Sequence, residues 1–176
     1  SKDMFDTTKT FVKEEVISLP EGFVSLANRN IPKTAAYATN YLRGRGVSTR
    51  DIKYWKIGYC PSGEYGGRII IPSFNNDGRV NYFIARSYGN TWPRYKNPPA
   101  QRNTMVFNEL YIQWEEPIHL VEGAFDAIKA GPNSIPILGS TLREDSKLFQ
   151  MIIKHRTPVY IALDKEKLDP YGLPTL

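Results

Sequence analysis

Four carboxylates in two short blocks are the residues of this chain best suited to chemistry. Glu122 and Asp126 lie in Ile118-His-Leu-Val-Glu-Gly-Ala-Phe-Asp-Ala-Ile-Lys-Ala-Gly131, and Asp164 and Glu166 follow Val159-Tyr-Ile-Ala-Leu163. Two carboxylates that approach each other repel unless a proton or a cation sits between them. Acids that converge at strand ends suit a hard cation such as Mg²⁺ or Mn²⁺, which is held by one or two carboxylates and keeps much of its water. Solvated acidic strand ends are the plain alternative for any one of these residues.

The surrounding sequence says how the acids are positioned. Ile118, Leu120 and Val121 predict a short buried strand that stops at Glu122. Gly123 permits a tight turn, and a helix follows with Asp126 in its first turn, where the dipole favours negative charge. Gly131-Pro132 ends that helix. Ile135-Pro-Ile-Leu138 is a second short apolar run, and Thr141-Leu-Arg-Glu144 has capping-box spacing for a second helix. That helix carries Leu148, Met151 and Ile152 on one face and Lys154, His155 and Arg156 at its end. Val159–Leu163 is the third run. Strand, helix, strand, helix, strand between residues 118 and 163 argues for an α/β parallel sheet, whose ligands bind outside the carboxyl ends of the strands. His119 and His155 are read as structural.

A basic, aromatic region precedes the acids. Residues 68–74 and 80–88 read as a hairpin around Asn75-Asn-Asp-Gly78. Alternation puts Tyr82, Ile84 and Arg86 on one face and Asn81, Phe83 and Ala85 on the other. Arg68 begins one strand and Arg86 comes late in its partner, so the two guanidiniums are expected to lie close together and to share an anion such as phosphate. Two solvated surface arginines are the alternative. Trp92-Pro-Arg-Tyr-Lys-Asn-Pro-Pro99 adds Arg94 and Lys96 for phosphate contact and Tyr95 or Trp92 for base stacking, with Arg102 just beyond. Upstream, residues 23–58 read as helical, with Asn30 as a cap, Pro32 as a first helical residue, a break at Gly44 and Gly46, and a second helix opening at Ser48-Thr-Arg-Asp51 with Ile52 and Trp55 on its apolar face. That pair of helices is expected to pack on the following sheet.

Composition sets outer limits. The chain has 176 residues, 41% of them hydrophobic, enough for one or two small domains with a core. No apolar run approaches membrane-spanning length, and no secretory signal is visible. A single cysteine, Cys60, excludes an internal disulfide and a cysteine-rich zinc site, and fits a reducing, cytoplasmic setting. The net charge of +5 suits an acidic partner such as nucleic acid, or simply solubility.

The blocks Val121-Glu-Gly-Ala-Phe-Asp-Ala-Ile128, Leu138-Gly-Ser140 and Ile161-Ala-Leu-Asp-Lys-Glu166 resemble the Toprim domain shared by bacterial-type primases, topoisomerases and some nucleases. The usual Asp-x-Asp of that domain is Asp164-Lys-Glu166 here, which keeps the charge on a longer side chain. Tyr41-Leu-Arg-Gly-Arg-Gly-Val-Ser48, Ile57-Gly-Tyr59, Arg68-Ile-Ile-Ile-Pro72, the Asn-Asp-Gly-Arg turn, Arg86 and Arg94-Tyr-Lys-Asn-Pro98 extend the likeness, in order, to the catalytic core of bacterial and phage DnaG-type primases. The resemblance covers roughly residues 35–166.

It implies an α+β basic subdomain at 21–114, a Toprim α/β domain at 115–176 that is shortened at its C-terminus, and an extension or linker at 1–20. It also implies synthesis of short RNA primers on single-stranded DNA from ribonucleoside triphosphates. Glu122, Asp126, Asp164 and Glu166 would serve metal-centred chemistry with Mg²⁺ or Mn²⁺. Arg68, Arg86, Arg94, Tyr95, Lys96 and Asn97 would contact nucleotide or nucleic acid, and a replicative helicase would be a partner. The opening Ser1-Lys-Asp-Met and the short C-terminal part suggest an excised fragment or a departure from the family. The rival readings are another Toprim enzyme, either nuclease or topoisomerase, and a primase-shaped protein that binds single strands or a replication partner without catalysis.

Overall fold

The computed structural model describes residues 14–139 and 142–163. Two sheets carry the architecture. The first is an antiparallel meander of β1 (Val24–Ser25), β2 (Gly58–Cys60), β3 (Arg68–Phe74) and β4 (Val80–Ser87), hydrogen-bonded in that order. Between β1 and β2 lie α1 (Ala36–Gly44) and α2 (Thr49–Tyr54). The second sheet is parallel and has the order β6-β5-β7, with β5 (Ile118–Val121) flanked by β6 (Ser134–Pro136) and β7 (Val159–Ala162). Its crossovers are α3 (Ala124–Ala130) and α4 (Lys147–His155). The mixed α/β class expected from the sequence is observed.

Alternation along β3 and β4 builds two cores. Ile69, Ile71, Tyr82 and Ile84 face Ala38, Leu42, Ile52 and Trp55 of the helical pair, and Phe125, Ala127 and Ile128 of α3 join the same cluster. Ile70, Phe83, Ala85 and Cys60 pack on the other face with Ile17, Leu19, Phe23 and Tyr65. A third cluster sets Ile118, Leu120 and Ile135 against Leu148, Met151 and Ile152 of α4, with Val106, Ile112 and Trp114 beside them. α3 and α4 thus belong to different clusters, one on each face of the parallel sheet, because β5 alternates its side chains between them.

Several local expectations change. Residues 23–58 are not continuously helical. Val24–Ser25 pairs with Gly58 and Tyr59 as strand, and Pro32 precedes a 3-10 turn at Lys33–Ala35 instead of starting α1. Ser48 caps α2 as read from the sequence, accepting from the Asp51 amide at 3.1 Å while Asp51 Oδ2 accepts from the Ser48 amide at 2.8 Å. α4 does not start from the 141–144 box. Its cap is Ser146, whose Oγ accepts from the Phe149 amide at 3.2 Å, and Thr141 lies outside the described residues. His155 stacks on Trp114 with ring centroids 5.7 Å apart, and His119 on Tyr160 at 5.3 Å, which supports the structural reading of both histidines.

Candidate active site

Val121 lies opposite both Pro136 of β6 and Ala162 of β7, so the three parallel strands stop at one level. Just past that level the Leu138 amide donates to the Glu122 carbonyl at 3.0 Å. Asp126 turns back from the first turn of α3, and its Oδ2 accepts from the Gly123 amide at 3.1 Å. Gly123 serves close approach here and not a special backbone angle. Its φ of −128° and ψ of 168° are ordinary extended values, but a Cβ would lie 3.2 Å from Asp126 Oδ2. Glu122 and Asp126 are both exposed.

The strand order reverses between β5 and β7, and open α/β sheets bind ligands at such a point, outside the carboxyl ends of the strands. The chain leaves β7 toward Asp164 at that end, while Asp164 and Glu166 themselves lie outside the described residues. Among the described residues no group of three His, Cys, Asp or Glu side chains is placed to hold a metal. Glu122 and Asp126 nonetheless fit a hard cation that keeps several waters. Both carboxylates face solvent, and a single oxygen of Asp126 is engaged by the backbone amide.

The two arginines of the hairpin do not share an anion site. Phe74 pairs with Val80, and a register continued from there would set Arg68 opposite Arg86. Asn81 is instead an extra, bulged residue, so Ser73 pairs with Tyr82, Arg68 with Ser87 and Arg86 with Ile69. Directly paired residues share a face and successive residues alternate. Arg68 and Arg86 therefore point to opposite faces of the sheet, which corrects the sequence expectation.

Arg68 is only 1% exposed, on the face of Ile70. Its Nη1 donates to the Arg94 carbonyl at 3.4 Å, its Nε has no partner, and no carboxylate pairs with it among the described residues. Burial pushes its pKa down, partly opposed by Tyr65. A buried guanidinium without a carboxylate partner is costly, and the Arg94 carbonyl is the acceptor that offsets part of that cost. Arg86 lies over the Tyr95 ring, 4.7 Å from its centroid, with its Nε also unpartnered.

Residues 94–97 run along the outer edge of β4. The Ser87 amide donates to the Arg94 carbonyl at 2.9 Å and the Lys96 amide to the Ala85 carbonyl at 3.0 Å. Asn97 is a bracket for this segment, since its Oδ1 accepts from the Ala85 amide at 3.2 Å. Lys96 is paired with Glu64 at 3.1 Å and sits over the Tyr65 ring. Arg94 is exposed, and Trp92 is 85% exposed. The structure thus gathers Arg68, Arg86 and residues 94–97 around one end of β3 and β4, and Glu122 with Asp126 at the end of the parallel sheet.

Two further arginines approach the acidic end, and the sequence reading gave them no role there. Arg102 donates through Nη1 to the carbonyl of Leu138, the residue whose amide holds the Glu122 carbonyl. Arg45 places its guanidinium 4.3 Å from the ring centroid of Phe125, the neighbour of Asp126. The Arg-Gly-Arg run at 43–45 was a usable signal for the second. For Arg102 there was none, because its contact depends on how the two sheets meet.

No family model matches the chain. In sequence it is 27% identical to the DNA primase of Thermotoga maritima over an alignment of 175 positions, covering 74% of this chain and 31% of that protein. It is 27% identical to the DNA primase of Buchnera aphidicola over 168 residues, covering 68% and 28%. The chain therefore spans about a third of the length of these curated relatives. Among solved structures, a DnaG primase catalytic domain bound to single-stranded DNA superposes with a TM-score of 0.63 at 19% identity, over 80% of this chain and 57% of that one. The chain has the fold of the DnaG-type primase catalytic core, as its ordered motif blocks led one to expect.

Proposed function

We propose that this chain is the polymerase core of a DnaG-type DNA primase, with a Toprim unit beginning near residue 115, and that it joins ribonucleotides into short primers on single-stranded DNA. The observation that carries the reading is the placement of Glu122 and Asp126 at the reversal point of the parallel sheet, within a primase-core fold. The relatives are DNA primases, and the superposed catalytic domain was solved with single-stranded DNA.

On this reading Glu122 and Asp126, together with Asp164 and Glu166, hold Mg²⁺ or Mn²⁺, which supplies charge neutralisation at the transferred phosphoryl group. The protein's own part is positioning. Arg68 is buried and donates to the Arg94 carbonyl, so it positions the 94–97 segment for phosphate contact. Arg86 and Tyr95 form a separate cation and ring pair for backbone and base, and Arg94 and Trp92 extend it toward solvent. Arg102 braces the strand exit beside Glu122. A replicative helicase as partner and a cytoplasmic location are the further properties expected of such a primase. No helix among the described residues is long and apolar enough to cross a membrane.

The test is primer synthesis on single-stranded DNA with four ribonucleoside triphosphates and Mg²⁺ or Mn²⁺. Short RNA products that vanish with Glu122→Gln support the proposal. Nicking of supercoiled plasmid without primer synthesis would instead favour a nuclease, and DNA binding without either activity would favour a non-catalytic role.

A further inference from the structure

The acidic strand ends and the basic hairpin lie on different sheets, and chemistry at one phosphoryl group needs them at a fixed separation. Apolar packing does not fix it alone. A cavity of about 40 Å³ remains at the junction, lined by Ile135, Leu138, Ser146 and Leu148 of the parallel-sheet part and by Val106 and Phe107 of the segment after β4. Apolar burial is also non-directional, so it tolerates sliding.

The polar contacts at the same junction are directional. Lys147 lies between two of the cavity residues, Ser146 and Leu148, at the start of α4. Its Nζ donates to Glu109 Oε2 at 2.7 Å and to Glu14 Oε2 at 2.9 Å. The other oxygen of each acid turns to the hairpin. Glu109 Oε1 accepts from Asn76 Nδ2 at 3.1 Å, and Glu14 Oε1 accepts from Asn81 Nδ2. Each carboxylate is thus a two-sided bridge between the hairpin and α4, and Lys147 closes both. The segment carrying Glu14 is itself held to the first sheet, since the Ile17 amide donates to the Val80 carbonyl at 3.0 Å and Ile17 packs with Phe83 and Ile70. Other ion pairs are local: Lys96–Glu64 stays on the first sheet, and Arg143–Asp145 and His155–Glu115 stay on the second.

We propose that Lys147 is a positioning residue: with Glu14 and Glu109 it holds the acidic strand ends at a fixed distance and angle from the basic hairpin. The path to the acids is short. α4 is the crossover from β6 to β7, and the exit of β6 touches Glu122, whose carbonyl accepts from the Leu138 amide at 3.0 Å. A buried ion network adds little stability over an apolar substitute, but it selects one geometry, because sliding of the two parts strands a charge. The catalytic consequence rests on the proposed primer synthesis, whereas the fixed geometry is a property of the fold.

The test compares wild type, Lys147→Arg, the double variant Lys147→Met with Glu109→Gln, and Ile71→Val. The double variant removes the bridge without leaving the Glu109 charge stranded, and Ile71→Val is a destabilised control that leaves the bridge intact. Spin labels at Lys53→Cys in α2 and Lys154→Cys in α4, both exposed positions, report the separation of the two parts in a Cys60→Ala background. Pulsed dipolar spectroscopy should give a narrow distance distribution for wild type, Lys147→Arg and Ile71→Val, and one about twofold broader for the double variant. Without labels, kcat of primer synthesis should fall about tenfold in the double variant, while metal-free single-strand affinity changes by less than about twofold and Lys147→Arg keeps kcat within about threefold. A loss of folded protein would lower kcat and binding capacity together. The proposal is overturned if the double variant's distribution is as narrow as that of wild type, or if Ile71→Val broadens it equally. It is also overturned if the distribution broadens and kcat does not change. A wild type that makes no primers removes the primase reading instead, and the distances then decide whether Lys147 fixes the geometry.

Discussion

Replacing Lys147 by Met should be among the most damaging single changes outside the hydrophobic core. Lys147 opens α4, and its Nζ lies 2.7 Å from a Glu109 oxygen and 2.9 Å from a Glu14 oxygen. The side chains are 20%, 2% and 15% exposed respectively, so water replaces little of what is lost. Asn76 donates to Glu109 at 3.1 Å, and Asn81 donates to Glu14, but without the ammonium two acids would share a nearly dry site. Breaking a buried pair from one side costs about 3–5 kcal/mol, and the residual exposure of Lys147 and Glu14 argues for the lower end, about 3 kcal/mol. In a domain of this size that corresponds to a fall of roughly 6–12 °C in melting temperature. Urea unfolding of the wild type, Lys147→Met, Glu109→Gln and the double variant measures it. The double variant should recover a large part of the loss, because one of the stranded charges is gone. A loss below about 1 kcal/mol, or no recovery in the double variant, would mean that the triad behaves as an exposed pair and that the burial argument is wrong.

Alkaline stability should follow from the same lysine and from Cys60. Burial alone would lower the Lys147 pKa, but the hydrogen bonds and charges of Glu109 and Glu14 outweigh it and raise it above its ordinary 10.5. Burial pushes the Cys60 thiol from 9.0 up to about 11. Both groups hold their protons more tightly when folded. Their contributions are therefore complete below the unfolded values and are lost as pH rises from about 9 through 11, and Cys60→Ala should flatten the early part of that decline in a melting series. Mg²⁺ or Mn²⁺ should raise the melting temperature by several degrees at saturating concentration, and Glu122→Gln should remove most of that shift; a fully retained shift would exclude Glu122 as a ligand. Arg68→Ala and Arg86→Ala should each weaken nucleotide or single-strand binding, with a coupling below about 0.5 kcal/mol in a double-mutant cycle, since the side chains lie on opposite faces; a coupling well above 1 kcal/mol would restore a shared phosphate. Trp92→Ala should reduce single-strand affinity while changing stability by less than about 0.5 kcal/mol, and an unchanged affinity would leave Trp92 as ordinary surface.

The elements that could be read from the sequence are those whose signals are local. Ile118–Val121 ends where its apolar run ends, α3 stops before Gly131, whose φ of 108° and ψ of −174° favour glycine but lie outside the left-handed helical region, and Asn75–Gly78 forms the expected turn. Ser48 and Asp51 cap α2 because both halves of that box lie within four residues. The start of α4 was misread because Ser146 offers the same cap chemistry as Thr141, and nothing local ranks the two. β1 was missed because two residues do not make a pattern. Val24 and Ser25 become strand only by pairing with Tyr59 and Gly58, on the far side of two helices. The acidic end was legible to the extent that strand ends were; its relation to Arg102 was not, because that contact joins residues 36 positions apart.

Strand register is where local reading stops, and here it changes the chemistry. The fate of Arg68 and Arg86 depends on Asn81, which is 1% exposed and belongs to neither face of a regular ladder. Its Oδ1 accepts from Ser73 Oγ at 2.6 Å, and its Nδ2 donates to the Val106 carbonyl at 3.3 Å and to Glu14. Ser73 Oγ in turn accepts from the Asn108 amide at 2.8 Å, and Glu14 leads on to Lys147. A bulge held by that many buried partners is a built feature of the sheet. It removes a repulsive pairing of two guanidiniums across β3 and β4. The polar network that stabilises the junction between the hairpin and α4 therefore also decides which face each arginine serves. Stability and the proposed nucleotide contacts are coupled through one inserted asparagine.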